Sequence, residues 1–133
     1  MPQSLNRALL IGNVGKDPEL RHTQGGSPVV NFPLATTDTW TDKNTGERKQ
    51  NTVWHRIVIY NEPVAQFCHE SVRKGDSLYV EGQIQNSKWT DKMGVERSGT
   101  EVVLQRFRGS LLLLKEGKDY EGEHELEEVN GNG

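Results

Sequence analysis

Hydrophobic residues recur at every second position along most of the chain, which is the spacing of a half-buried β-strand. Five stretches bounded by Gly, Pro, Asn and Asp follow this pattern: 5–14, 28–39, 52–60, 77–84 and 100–114. Between the third and fourth stretches the spacing becomes helical, because Val64, Phe67, Cys68 and Val72 fall on one stripe. We expect a helix over 62–74, with Pro63 near its start. The predicted element order is β-β-β-α-β-β.

The third predicted strand separates two kinds of side chain. Alternation places four residues on one face, and these are Val53, His55, Ile57 and Ile59. The other face carries Trp54, Arg56, Val58 and Tyr60. One face is suited to a core, and the other combines two aromatic rings with a cation.

The phrase Trp-Thr-Asp-Lys occurs twice, at 40–43 and at 89–92, and each copy runs on to a Glu-Arg pair. Each copy lies between two predicted strands and is followed by the Gly that a tight turn needs. The sequences that flank the copies share nothing, so we reject a repeat architecture. Both phrases are predicted to form hairpin tips, with Trp40 and Trp89 where a strand enters its loop.

Composition and charge divide the chain into a body and a tail. A chain of 133 residues with 32% hydrophobic residues and 14 glycines is expected to form one β-rich domain. Residues 1–115 carry a net charge of +3, and residues 116–133 carry −6. We expect 1–115 to be the folded domain and 116–133 to be a disordered acidic tail. The tail would either compete with a polyanion for the basic body or serve only solubility. In the first case, deleting 116–133 tightens binding at low salt.

Several functional classes are excluded by residue types. The chain has no apolar run long enough to span a bilayer and no signal peptide at its start, so neither a membrane protein nor an exported one is expected. The single cysteine, Cys68, fits a reducing compartment. The four histidines are scattered without metal-ligand spacing, and no nucleophile has a partner base. The Gly12–Lys16 segment lacks parts of a phosphate loop. No enzyme activity, metal or cofactor is expected.

Aromatic rings and cations are interleaved along both hairpins and the third strand. We predict that bases stack on Trp40, Trp54, Tyr60 and Trp89. Phosphate contacts are assigned to Lys43, Arg48, Lys49, Arg56, Lys88, Lys92 and Arg97. The simpler interpretation of the tryptophans is that they close the core, and that of the cations is that they are ordinary solvated charges. Exposed rings among cations favour single-stranded nucleic acid, since a duplex hides its base faces. A protein-binding adaptor remains the alternative class.

Five strands with a helix between the third and fourth are the elements of an OB-fold, a five-stranded Greek-key barrel. Six blocks in this order resemble the bacterial and mitochondrial single-stranded DNA-binding protein family. The blocks are 9–21, 32–36, 54–60, 73–76, 79–82 and 88–91. The resemblance implies non-enzymatic, largely sequence-independent binding and protection of single-stranded DNA in replication, recombination and repair, by a homotetramer. Only this resemblance favours DNA over RNA as the ligand.

The resemblance also assigns individual residues and a cellular location. The four aromatic positions match the stacking positions of the family, in which position 60 is commonly Phe. His55 and Tyr79 match subunit-contact positions, although a hydrogen-bonded core histidine is an equal alternative for His55. The family commonly recruits replication and repair proteins through a hydrophobic tip on its acidic tail. This chain ends in Val-Asn-Gly-Asn-Gly, so we do not expect recruitment by that route. The implied location is the bacterial cytoplasm with the nucleoid, with the mitochondrial matrix as the second choice.

Overall fold

The computed structural model describes residues 3–117, which form seven strands and one helix. The strands are β1 (Ala8–Val14), β2 (Glu19–His22), β3 (Pro28–Thr41), β4 (Arg48–Ile59), β5 (Ser77–Thr90), β6 (Glu96–Leu104) and β7 (Ser110–Lys115). The helix α1 (Glu62–Ser71) lies between β4 and β5. Residues 118–133, most of the predicted acidic tail, lie outside the described part of the chain.

Five of the strands close into a barrel. Strand β1 pairs with β3 on one side and with β5 on the other, and the circuit continues through β4 and β6. All of these pairs are antiparallel except β4 with β6, which run parallel over Ile57–Ile59 and 102–104. Strand β2 extends the sheet beside β3, and β7 extends it beside β5. The predicted OB-fold, a five-stranded Greek-key barrel with one helix, is confirmed.

The barrel interior is filled by the apolar half of each alternating strand. Its largest fully buried side chains include Phe32, Leu34, Ile57, Ile59 and Leu78. The helix adds Ala65 and Cys68 to the same cluster, and Val72, the residue after the helix, joins them. Burying the side chains of alternate residues on each strand leaves the other half facing outward, and this outward half supplies the functional surface.

Helix α1 begins and ends at recognisable signals. The Asn61 side chain accepts a hydrogen bond from the Val64 N–H at 3.4 Å, and Pro63 occupies the first turn. The helix ends at Ser71 because Val72 adopts an extended conformation, so the predicted end at residue 74 was three residues too late. Among residues 3–117, no helix is long and apolar enough to cross a membrane.

Two features of the predicted strand set were wrong. The stretch 100–114 is two strands, because a turn over 105–109 separates β6 from β7. Strand β2 was not predicted at all, since it is only four residues long and follows Pro18. The first strand starts at Ala8 instead of residue 5, and the β3–β4 and β5–β6 hairpins are longer than predicted. Beyond β7, the Gly117 N–H donates to Asp76 Oδ1 at 2.7 Å.

Candidate nucleic-acid interface

The two Trp-Thr-Asp-Lys phrases build two hairpin turns on the same plan. In each turn, Oδ1 of the Asp accepts backbone N–H groups of the loop. Asp42 accepts from Asn44 at 2.7 Å, and Asp91 accepts from Met93 at 2.9 Å. A glycine with positive φ then reverses the chain, Gly46 at 74° and Gly94 at 81°. The repeated sequence therefore encodes a repeated local structure.

The second carboxylate oxygen of each Asp holds a cation opposite the tryptophan. Lys49 lies directly across the β3–β4 pair from Trp40, and its Nζ is 3.2 Å from Asp42 Oδ2. Arg97 lies across the β5–β6 pair from Trp89, and its Nε is 2.9 Å from Asp91 Oδ2. Each hairpin therefore presents one ring beside one cation.

These contacts lower the pKa of both carboxyl groups. The pKa of Asp42 lies below its usual value of 3.8 because of the hydrogen bond from the Asn44 backbone and the contact with Lys49. The pKa of Asp91 is lowered first by Arg97 and then by the Val95 backbone. Both carboxyl groups are partly exposed and their cation partners are exposed, and such ion pairs contribute little to folding. Lys49 and Arg97 can therefore exchange a carboxylate partner for a phosphate at small cost.

Trp54 lies on the outward face of β4 and is 60% exposed. Its ring covers Gly15, where a Cβ atom would lie 2.4 Å from Trp54 Cζ3. The ring borders a cavity of about 620 Å³. Four cations and two carboxylates also line this cavity, namely Lys16, Arg21, Arg56 and Lys92 with Asp17 and Glu19, and Arg21 Nε is 2.7 Å from Glu19 Oε1. Lys92 comes from the second Trp-Thr-Asp-Lys phrase, so the β5–β6 turn reaches the cavity beside Trp54.

Tyr60 lines an adjoining groove and is 38% exposed. Arg21 and Arg56 line both this groove and the Trp54 cavity, which makes the two continuous. Arg56 donates from Nε to Glu101 Oε2 at 2.6 Å, across the parallel pairing of β4 with β6. The structure therefore unites two of the four predicted stacking residues in one basic track on the outer face of the barrel.

Trp40 and Trp89 stand outside this track. Trp40 is 46% exposed and lies on the opposite face of the β3–β4 hairpin from Trp54, as the unbroken alternation of the register requires. Trp89 is 43% exposed, and its ring covers Gly99 on β6. Each ring is partly free for a ligand, but neither lines the Trp54 cavity or the Tyr60 groove.

The remaining predicted phosphate contacts lie along the hairpins. The Arg48 guanidinium donates to the hydroxyls of Thr39 and Thr41 at 3.3 and 3.4 Å. Lys88 lines a separate open groove along the β5–β6 ribbon. Lys43 and Lys92 belong to the two turns, and neither they nor Lys88 forms an ion pair within residues 3–117. Three predicted cations already hold a carboxylate, namely Lys49, Arg56 and Arg97.

The two predicted subunit-contact residues lie on different surfaces. His55 is half-buried, and its Nε2 is 2.9 Å from Thr36 Oγ1. Tyr79 donates from its hydroxyl to Glu81 at 3.1 Å, and that carboxylate also binds Arg7. Partial burial and the bond to Glu81 raise the pKa of Tyr79, while Arg7 lowers that of Glu81.

Within the described part of the chain, no group of His, Cys, Asp and Glu is arranged to hold a metal.

Residues that were not predicted also shape the track. Lys16 and Arg21 line it because β2 folds back beside β3. Gly15 and Gly99 were not predicted to belong to the site, yet each lies beneath a tryptophan ring. A sequence pattern does not show which residue lies under a ring. Arg21 could have been found, since it belongs to a block that resembles the family.

An OB-fold with exposed rings and cations along its outer face defines a nucleic-acid-binding module. Comparison with known proteins agrees with this class, since the single-strand binding protein family matches residues 5–109. The chain belongs to this family.

Named relatives and a solved structure show the same likeness. The chain is 48% identical over 122 residues to the single-stranded DNA-binding protein of Rhizobium meliloti (strain 1021), covering 92% of this chain and 70% of the relative. It is 51% identical over 114 residues to that of Rickettsia prowazekii (strain Madrid E), covering 86% and 75%. A structure described as Plasmodium falciparum SSB in complex with ssDNA superposes with a TM-score of 0.75 at 37% identity, covering 86% of this chain and 99% of the other.

Proposed function

We propose that this protein binds single-stranded DNA without sequence preference and protects it during replication, recombination and repair. The observation that carries the proposal is the continuous basic track in which Trp54 and Tyr60 are exposed among Arg21, Arg56 and Lys92. No cofactor or catalytic group is needed for this activity. Buried Cys68, whose pKa burial raises to about 12, is unreactive in the fold.

The exposed rings favour a single strand over a duplex. Base stacking on an aromatic side chain is worth about 1 to 3 kcal/mol per base, and a duplex offers those base faces only at its ends. The rings do not read base edges, so binding tolerates any sequence. The cations around them follow the phosphates, which makes affinity fall as salt rises.

The choice of DNA over RNA is supported by the relatives. The curated relatives described above carry the name single-stranded DNA-binding protein, and the Plasmodium structure contains ssDNA. Stacking alone does not distinguish the two polymers, because it does not contact the 2′-hydroxyl. We therefore propose DNA as the natural ligand and treat RNA binding as an outcome to be measured.

We further propose that the protein acts as a homotetramer. The outer face of β1, β5 and β7 exposes an apolar patch that consists of Leu9, Ile11, Leu112 and Leu114 around Tyr79. Exposed patches of this kind mark protein contacts. Tyr79 is therefore well placed for a subunit contact, whereas His55 lies away from this patch beside Trp54.

The bacterial relatives support a bacterial cytoplasmic location beside the nucleoid.

The proposal is tested by titrating the intrinsic tryptophan fluorescence with oligo(dT), with duplex DNA and with oligo(U) at two salt concentrations. Strong quenching by oligo(dT), little by duplex and weaker affinity at high salt is the expected result. A weaker response to oligo(U) supports DNA as the ligand. Unchanged fluorescence with every nucleic acid contradicts the proposal and favours a protein-binding OB-fold.

A further inference from the structure

The turn over 105–109, between β6 and β7, presents an aromatic ring to solvent. Phe107 is 91% exposed, more than any other large hydrophobic side chain of the described residues. Its φ is 68°, and within residues 3–117 it is the one residue other than glycine with positive φ. A bulky side chain is disfavoured in this left-handed conformation, where Gly or Asn is usual. The chain therefore keeps a phenylalanine at a position that is unfavourable for folding.

Contacts within the turn and with neighbouring segments hold it in this shape. The Arg108 N–H donates to the Gln105 carbonyl at 2.9 Å and closes the turn. Asn61 Nδ2 donates to the Arg108 carbonyl at 3.1 Å, and Arg106 Nη2 donates to Ser27 Oγ at 3.1 Å. The ring of Phe107 is thus presented by a turn that is fixed at both ends. Unfavourable backbone conformations that are held in place by surrounding contacts are common at ligand-binding sites.

The turn continues the basic track beyond Tyr60. The track runs along β4 from Trp54 through Arg56 and reaches Tyr60, the residue after the strand, whose N–H donates to the Leu104 carbonyl at 2.8 Å. The next residue, Asn61, binds the other end of the turn. Ser27, which receives Arg106, donates its N–H to Thr23 Oγ1, and Thr23 lines the groove beside Tyr60. The turn therefore borders the end of the Tyr60 groove.

Charge identifies the kind of ligand that this turn suits. Arg106 and Arg108 precede and follow Phe107 in the sequence, and neither guanidinium forms an ion pair among residues 3–117. Arg106 is held by Ser27 on the side of the Tyr60 groove, and Arg108 lines a separate cavity with Arg7 and Glu81. An exposed ring with a cation on each neighbouring residue suits an unpaired base and its phosphates. An apolar peptide would need a wider hydrophobic surface than one ring.

We propose that Phe107 is an additional stacking platform for single-stranded DNA, and that Arg106 and Arg108 contact the phosphates on either side of the stacked base. The strand that crosses Trp54 and Tyr60 continues onto this turn. The inference rests on the proposed function and extends the binding site by one subsite at the end of the track.

The test compares Phe107→Gly, Phe107→Leu and Phe107→Tyr in the full chain. Affinity for oligo(dT) of increasing length is measured by fluorescence, and the melting temperature is measured alongside. Glycine relieves the positive φ, so Phe107→Gly should melt no lower than the unchanged protein. Its affinity for long oligo(dT) should nevertheless fall at least about fivefold, since one stacked base is lost. Oligonucleotides too short to reach the turn should bind both proteins equally.

The other two variants separate stacking from general apolar contact. Phe107→Tyr keeps the ring and should bind as the unchanged protein does, whereas Phe107→Leu should lose affinity as the glycine variant does. In Arg108→Gln, the slope of log affinity against log salt should fall by about 0.7, the value for one phosphate contact with a single strand. Full affinity of Phe107→Gly for long oligo(dT), or of Phe107→Leu, overturns the inference. If the unchanged protein itself fails to bind oligo(dT), it is the proposed function that fails.

Discussion

Gly15→Ala is expected to weaken DNA binding through Trp54, a side chain 39 positions away in the sequence. The Cβ of an alanine at 15 would lie 2.4 Å from Trp54 Cζ3 and 2.8 Å from Cη2, where ordinary contact begins near 3.4 Å. The ring must therefore retreat by about 1 Å or rotate away. Because it is 60% exposed, it can move into solvent without disturbing the core.

The size of the effect follows from what the ring contributes. A stacked base is worth about 1 to 3 kcal/mol, so a displaced ring should cost on the order of 1 kcal/mol, roughly fivefold in Kd. Stability should change little, because replacing Gly by Ala also restricts the unfolded chain, worth about 0.4 to 1 kcal/mol. Quenching of tryptophan fluorescence by oligo(dT) and the melting temperature measure the two effects separately.

Two controls make the test specific. Gly25→Ala is the matched substitution, because a Cβ there would contact only Thr23 Oγ1 at 3.9 Å, and it should bind normally. In a Trp54→Ala background, Gly15→Ala should cause no further loss, since the ring on which it acts is gone. An undiminished affinity of Gly15→Ala, or an equal loss with and without Trp54, refutes the reasoning.

Four further predictions follow from the track and the hairpins. Trp54→Ala and Tyr60→Ala should each lose about 1 to 3 kcal/mol of oligo(dT) affinity while keeping the melting temperature, and a collapsed melting temperature would show that the ring belongs to the core. Lys92→Gln should lower the slope of log affinity against log salt by about 0.7, whereas an unchanged slope would remove Lys92 from the phosphate path. Asp91→Asn should tighten binding at low salt, because Arg97 is released and a negative charge is lost; weaker binding would show that the ion pair positions Arg97 for DNA. The pKa of Asp91 is lowered on folding, so its contribution to stability is present above 3.8 and is lost as pH falls through the lower folded value. The difference in melting temperature between Asp91→Asn and the unchanged protein should therefore disappear in acid.

The local pattern of apolar and polar residues was sufficient to predict the barrel and the outward position of two aromatic rings. Strand β4 alternates without a break, so Ile57 and Ile59 were assigned to the core, and both are fully buried. The same alternation predicted the outward face of Trp54 and Tyr60. The repeated phrases predicted both hairpins because turn chemistry is local.

Contacts between distant segments were not visible in the sequence. The pairing of Arg56 with Glu101 depends on the parallel alignment of β4 with β6, for which neither strand carries a signal. Val58 shares the outward face of Trp54 yet is only 5% exposed. It borders the groove beside β2, the strand that was too short to predict. The stretch 100–114 was predicted as one strand from Val102, Leu104 and the run of four leucines at 111–114, although Phe107 does not continue the spacing of Val102 and Leu104.

The central claim is that a single strand of DNA runs along the outer face of the barrel over Trp54 and Tyr60. The most direct measurement is photo-crosslinking of the full chain to oligo(dT) that carries 5-bromouracil, followed by mass-spectrometric mapping of the attached residues. We predict adducts on Trp54 and Tyr60, with further adducts on the Trp40 and Trp89 hairpins. Adducts confined to the apolar patch around Tyr79, with none on Trp54 or Tyr60, would contradict the account.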